Sequence, residues 1–333
     1  MIRIALLGCG RIGAVHADTI AALEGASLAV AYDPIAEAAA AVSARHGVAT
    51  ADNAASAISE ADAVLIATST DTHADLIEES VRAGKAVFCE KPIDLGLARV
   101  RQCGHNIAGT GVPVQVGFNR RFDASHRALR DAVAAGDIGA LYQVVITSRD
   151  PSPPPEDYVM RSGGLFRDMT IHDFDLARFV LGDEPVEVLA VGDASVDPGL
   201  ADRAGDIDTA MVILRTADGR QCHINNCRKA AYGYDQRVEA HGANGMLISG
   251  NQRPTALEKH TGDATGIADP YQAFFIERYK ASFAAELASF VSAVRSGGTP
   301  EVSFADGERA LVLAECAIRS MAEKRTVRVD EFA

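Results

Sequence analysis

Residues 2–17 read "IRIALLGCGRIGAVHA", and the order of features in this stretch decides the fold of the N-terminal half. An apolar run of strand length leads directly into Gly8, Gly10 and Gly13, spaced G-x-G-x-x-G, and then into an alanine-rich helical segment. Strand, glycine turn and helix in that order form the phosphate-binding end of a dinucleotide fold. Gly8 permits the tight turn, Gly10 lets the backbone approach a pyrophosphate, and Gly13 allows close packing of helix on strand. Arg11 and Ile12 lie between the glycines and count with them as cofactor contacts. The helix N-terminus supplies free amides and a positive dipole end to the phosphates. A second apolar run ends at Asp33, 20 residues beyond Gly13. A carboxylate there accepts hydrogen bonds from the adenosine ribose and repels a 2′-phosphate, which favours NAD over NADP. A glycine-rich turn without a cofactor is the competing reading of the glycines alone.

Outward from this stretch the pattern repeats. "SLAVAYD", "AVLIAT", "AVFCEKP" and "VPVQVGF" are further continuous apolar runs, separated by helical segments near 14–24, 34–46, 73–83 and 95–108. Such alternation predicts a parallel sheet covered on both faces, the doubly wound α/β arrangement, over residues 1–120. After residue 120 the character changes. "LYQVVITSR", "VEVLAVGDA", "TAMVILRT", "RQCHINNCR" and "QRVEAHGA" read as strands with few helices between them, and "RTADGRQ" carries an Asp-Gly hairpin signal. Residues 121–333 are therefore expected to form a substrate-binding and oligomerisation domain around a large, mostly antiparallel open sheet. Late helices near 281–296 and 305–323 would cover a sheet, and one of them is a candidate to pack back on the first domain. "DPSPPPEDY" (150–158) reads as a rigid loop.

Composition narrows the function classes. The chain has 333 residues, 48% hydrophobic, with a formal net charge of −13. That charge argues against nucleic acid and anionic membranes as partners. No apolar run approaches the roughly 20 residues of a membrane span. The N-terminal run is too short for a signal peptide and is read as the first strand. Six cysteines are scattered without a Cys-x-x-Cys pair, which fits a reducing cytoplasm and small buried side chains.

Two strand ends carry polar residues where an open α/β sheet faces its ligand. "AVFCEKPIDL" places Glu90 and Lys91 at one of them, with Pro92 biasing Lys91 away from helical geometry. A solvated lysine at a loop start is the competing reading. "ATSTDTHADL" places Ser69, Thr70 and His73 at the neighbouring end, suited to a loop along the cofactor. His73 reads equally as a helix-start residue with no chemistry.

The third feature is "GGLFRDMTIHDFDLARF" (163–179). On a helical wheel Asp168, His172 and Asp175 fall with Phe179 within an arc of about 60° on a largely apolar helix. A narrow titratable strip of this kind should face a cleft or the interior, where ionisable groups need partners. It could hold a metal through histidine and two carboxylates, satisfy itself as a structural network, or form an acid/base pair. The dinucleotide site favours the last, because removing hydride from an alcohol carbon requires a base for the hydroxyl proton. No metal is then expected.

Taken together, G-x-G-x-x-G, the E-K-P turn and the Asp168–His172 segment resemble the family of glucose-fructose oxidoreductase and inositol dehydrogenase. Within it, "CEKPIDL", "VGFNRRFD", "SRDPSPPP" and "YGYDQRVEAHG" are most similar to the bacterial inositol 2-dehydrogenase branch. The resemblance implies an N-terminal Rossmann domain and a C-terminal α/β domain whose open sheet makes subunit contacts, commonly in a homotetramer. It implies NAD-dependent oxidation of a ring polyol, foremost myo-inositol to 2-keto-myo-inositol (scyllo-inosose), with Lys91, Asp168 and His172 as catalytic triad. Further polyol contacts map to Arg121, Asp150, Asp175 and Tyr234, with Tyr232 competing for the last position. The alternatives are another inositol isomer or a sugar such as glucose, or a dinucleotide-sensing regulator without catalysis.

Overall fold

The computed structural model describes residues 1–332. The chain forms two compact units: Met1–Phe122 with Ala281–Leu311, and Asp123–Lys280 with the chain from Val312 onward.

The first unit runs β1 (Ile2–Leu7), α1 (Arg11–Ala22), β2 (Ala26–Tyr32), α2 (Ala36–His46), β3 (Ala49–Thr50), α3 (Ala54–Ser59), β4 (Ala63–Ile66), α4 (His73–Arg82), β5 (Ala86–Glu90), α5 (Leu97–Ile107) and β6 (Val114–Gly117). Its six strands pair in the order β3-β2-β1-β4-β5-β6, all parallel. The five strands predicted from the apolar runs are all present. The sixth, β3, is two exposed residues at the sheet edge, too short to leave a pattern. The strand order reverses beside β1, so the ligand crevice of such a sheet opens past the ends of β1 and β4. Ile4, Leu6, Leu65 and Phe88 of the strands are buried with Ala17 and Ile20 of α1. Leu287, Phe290 and Val291 close the same core. Truncating a phenylalanine such as Phe290 there would cost about 3–5 kcal/mol.

The second unit contains α6 (Ala124–Ala135), β7 (Leu141–Arg149), α7 (Glu156–Ser162), a π turn (Phe166–Thr170), α8 (Ile171–Leu181), β8 (Pro185–Asp193), α9 (Leu200–Ala204), β9 (Thr209–Thr216), β10 (Gln221–Cys227), β11 (Asp235–Gly242) and β12 (Gly245–Ser249). A two-stranded ribbon follows, β13 (Glu258–Lys259) with β14 (Ile267–Ala268), and then α10 (Phe275–Arg278). The late segments are α11 (Lys280–Ser296), most of which lies in the first unit, α12 (Phe304–Glu323) and β15 (Val327–Arg328).

The large sheet has the order β12-β11-β7-β10-β9-β8-β15. It is antiparallel except for β7 and β10, which run parallel because the chain leaves β7 through two helices and returns by way of β8 and β9. The Asp218–Gly219 turn joins β9 to β10 as the sequence predicts, with Gly219 at φ +93°. Along β9 and β10 burial alternates strictly. Val212, Leu214, Cys222 and Ile224 point inward, where α8 packs against β7 and β10. Leu189, Val191, Met211, Ile213, Met246 and Ile248 stand exposed on the outer face.

Candidate active site

The three glycines have separable reasons. Gly8 sits at φ +95°, and a Cβ there would lie 2.4 Å from the Ala67 carbonyl carbon. At Gly13 a Cβ would lie 2.0 Å from the Gly8 oxygen. These two are required by the packing of turn, helix and strand. Gly10 is different: it caps α1 at φ −67°, and a Cβ would meet nothing within 4 Å. Its backbone therefore borders open space at the start of a helix, which is the room a pyrophosphate needs. Arg11 is exposed there and Ile12 half-buried.

Asp33 follows β2 and is oriented from both sides. Its Oδ2 accepts the Cys9 amide hydrogen at 2.7 Å, and its Oδ1 accepts that of Ile35 at 2.8 Å. Each carboxylate oxygen keeps a lone pair for a further donor. Burial, then the Asp33 charge, push the Cys9 thiol up to about 12, so it stays protonated beside the glycine turn. These residues fit a dinucleotide.

Ser69 and Thr70 follow β4, with Thr70 in a short 3₁₀ turn that ends at Thr72. His73, first residue of α4, is buried, with Nδ1 2.8 Å from the Pro92 carbonyl oxygen and Nε2 3.1 Å from that of Thr68. Burial, opposed by these two carbonyls, lowers its proton affinity. The neutral ring has one N–H and donates to one of the two carbonyls. Donated to Pro92, that hydrogen ties the turn after β4 to the turn after β5, where Lys91 precedes Pro92 across a cis bond. Glu90 pairs with buried His16 at 2.6 Å, and the His16 ring packs edge-on to Phe88 and Phe283. Gly117 leaves room for this carboxylate, since a Cβ would be 3.0 Å from Glu90 Oε2. Arg121 is buried and pairs with Asp306 at 3.0 Å.

The second unit departs from the ideal helix assumed for residues 168–181. Asp168 lies in the π turn, and the α-helix begins at Ile171. A π turn holds more residues per turn than an α-helix, so the wheel angle of Asp168 against His172 does not apply. Asp168 is buried, with the Tyr158 hydroxyl donating to Oδ1 at 2.8 Å and Arg228 Nη1 donating to Oδ2 at 3.0 Å. Helix α8 is buried nearly all round; His172 alone among its residues is partly exposed. Asp175 is buried and pairs with Arg178 within the helix at 3.4 Å. Asp150 Oδ2 lies 3.8 Å from the same Arg228 Nη1 that holds Asp168. Tyr234 is buried between the rings of Phe274 and Tyr279. Tyr232 is exposed, donates to Asp235 at 2.7 Å and accepts from Arg149 at 2.7 Å.

Sequence reasoning missed Tyr158, Asp173, Asn226 and Arg228. Asn226 accepts from the Thr170 hydroxyl and donates to Asp173, both at 2.7 Å, fixing the start of α8 to β10. A signal existed. Cys222, Ile224, Asn226 and Arg228 share the inward face at period two, so polar groups run along a buried strand face and need partners there. Among the described residues, no three His, Cys, Asp or Glu side chains are grouped so as to hold a metal ion.

Residues 2–118 match the model of the oxidoreductase family with an NAD-binding Rossmann fold, and residues 126–248 match the GFO/IDH/MocA C-terminal domain. The chain is 50% identical to inositol 2-dehydrogenase of Rhizobium meliloti over 330 residues, covering 98% of this chain and 99% of that one. It is 42% identical to myo-inositol 2-dehydrogenase of Thermotoga maritima over 99% of each. The crystal structure of a myo-inositol dehydrogenase from Corynebacterium glutamicum superposes with a TM-score of 0.95 at 44% identity, over 98% of both chains. With both domains and the whole length in agreement, the chain belongs to the GFO/IDH/MocA family of NAD-binding oxidoreductases.

Proposed function

We propose that this enzyme oxidises a ring polyol, foremost myo-inositol, to the corresponding ketone, 2-keto-myo-inositol, using NAD⁺. Whole-length identity to proteins named inositol 2-dehydrogenase carries the substrate class. Bound NAD⁺ supplies the hydride acceptor. Gly8–Gly13 and the start of α1, with Arg11 and Ile12, hold the pyrophosphate, and Asp33 takes the ribose hydroxyls. Ser69, Thr70 and His73 form the wall along the cofactor, and Glu90, anchored on His16, steadies the Lys91 turn.

His172 accepts the hydroxyl proton as hydride leaves the carbon. A partly exposed imidazole on an otherwise buried helix has the access this requires. Asp168 stabilises the imidazolium that forms. Lys91 donates to the reacting oxygen, its charge favouring the developing alkoxide. Arg121, Asp150, Asp175 and Tyr234 complete the polyol contacts. We further propose a cytoplasmic homotetramer. Six free cysteines, five of them buried, support the reducing compartment. The exposed apolar rows of β8, β9 and β12 support a second copy seated on the outer sheet face.

The test is a panel of myo-, scyllo- and chiro-inositol and glucose, each with NAD⁺ and NADP⁺, following reduced cofactor by absorbance. Preferential turnover of myo-inositol with NAD⁺ is expected. Preference for another isomer or sugar replaces the substrate, and NAD⁺ binding without any polyol-dependent reduction overturns the catalytic reading.

A further inference from the structure

Arg228 follows β10 and is 3% exposed. Its backbone amide donates to the Asp208 carbonyl at 2.8 Å, which fixes where the side chain starts. One nitrogen, Nη1, reaches two carboxylates: Asp168 at 3.0 Å and Asp150 at 3.8 Å. The other two, Nε and Nη2, are buried without a hydrogen-bond partner among the described residues. A buried arginine that served only to knit the fold would use its planar fork in paired bonds. This one leaves an edge unsatisfied, which is unfavourable, and places its charge between two acids. The unsatisfied edge has no solvent access, so Arg228 acts through Asp168 and not by touching substrate.

The consequence is electrostatic. Two carboxylates near each other resist both being ionised, and a cation between them relieves this. An Asp168 that took up a proton could not stabilise an imidazolium on His172. The same cation also tempers the pull of Asp168 on a proton held by His172. The charged and titratable groups around this centre include Tyr158 from α7, Asp150 after β7, and Arg228 after β10. Asp173 and Asp175 on α8 are committed to Asn226 and Arg178, and the Asp208 carboxylate is committed to the amides of Val196 and Asp197.

We propose that Arg228 is a positioning residue for the Asp168–His172 pair, holding Asp168 charged and aimed and setting the pH at which the pair accepts a proton. This rests on the assignment of His172 as the base. Removing a cation that lies between two carboxylates raises their hold on a proton, and a pair built on one of them takes up its proton at higher pH, whichever member carries it.

The experiment is the pH profile of kcat/KM for myo-inositol oxidation by the full-length enzyme with NAD⁺. In Arg228→Met the acid limb should move up by about one pH unit. Turnover at pH 7 should fall about tenfold or more and partly recover in alkali, with the KM for NAD⁺ unchanged. Arg228→Lys should restore most of the limb. An unshifted limb in Arg228→Met, with activity lower at every pH, would reduce Arg228 to a structural role and overturn the proposal. Should Arg228→Met fail to fold, Asp150→Asn provides the opposite sign: removing a negative charge should move the limb to lower pH, and an unmoved limb there overturns the proposal. His172→Ala separates the two claims. If that variant keeps the wild-type acid limb, the base assignment fails; if it loses the limb while Arg228→Met leaves it unmoved, only the role of Arg228 fails.

Discussion

The Asp33 carboxylate accepts the backbone amide hydrogen of Cys9 at 2.7 Å, so the end of β2 is locked to the glycine turn that follows β1. Strand β2 delivers Asp33, and the glycine turn after β1 delivers Cys9. One hydrogen bond couples the two halves of a dinucleotide site.

Cofactor choice should follow from this carboxylate. Asp33→Ser removes a charged acceptor, and hydrogen bonds to charged groups are worth about 1.5–3 kcal/mol each. The ratio of kcat/KM for NAD⁺ over NADP⁺ should therefore fall by about tenfold to a hundredfold. Initial rates with both cofactors measure it, and an unchanged ratio would remove Asp33 from cofactor selection.

The glycines should separate fold from binding. Gly13→Ala places a methyl group against the Gly8 oxygen, where 2.0 Å is available. Overpacking of this kind costs about 1–3 kcal/mol or more, so both thermal stability and NAD⁺ affinity should drop. Gly10→Ala meets no protein atom. It should melt close to the wild type yet bind NAD⁺ weakly. Calorimetric unfolding and cofactor titration on the two variants check the contrast.

Acid should weaken the second unit through Asp235. Burial pushes its carboxyl up, but donors from Arg237, Tyr232 and Asn251 outweigh burial and hold it below the usual range. The folded value is thus below the unfolded value of about 3.9. The stabilisation is complete above pH 4 and is lost as pH falls through the folded value. Asp235→Asn should cost about 1–3 kcal/mol near neutral pH, and its deficit against the wild type should shrink below pH 4. Urea unfolding at pH 7 and pH 3 tests the sign.

Much of this fold was legible because its signals are local. A strand, three spaced glycines and Asp33 lie within one βαβ unit, and five apolar runs became five parallel strands. The Asp218–Gly219 turn announced its hairpin. What was not legible depends on residues distant in sequence. The parallel pairing of β7 with β10 follows from the path of the chain between them, which no local pattern contains. The π turn at Phe166–Thr170 moved Asp168 off the wheel drawn for it, because a single added residue in a turn leaves no compositional trace. Arg228, 60 residues beyond Asp168, lies in no motif that marks it in the sequence. Its burial becomes visible only when β10 is read at period two through Cys222, Ile224 and Asn226.

The central claim is that His172 takes the proton from the polyol. Its most direct measurement is single-turnover reduction of NAD⁺ by myo-inositol in His172→Ala, with NAD⁺ affinity measured on the same protein. Loss of general base catalysis predicts a rate about 10²–10⁴-fold below the wild type, with NAD⁺ affinity retained. A His172→Ala enzyme that reduces NAD⁺ at close to the wild-type rate would contradict it.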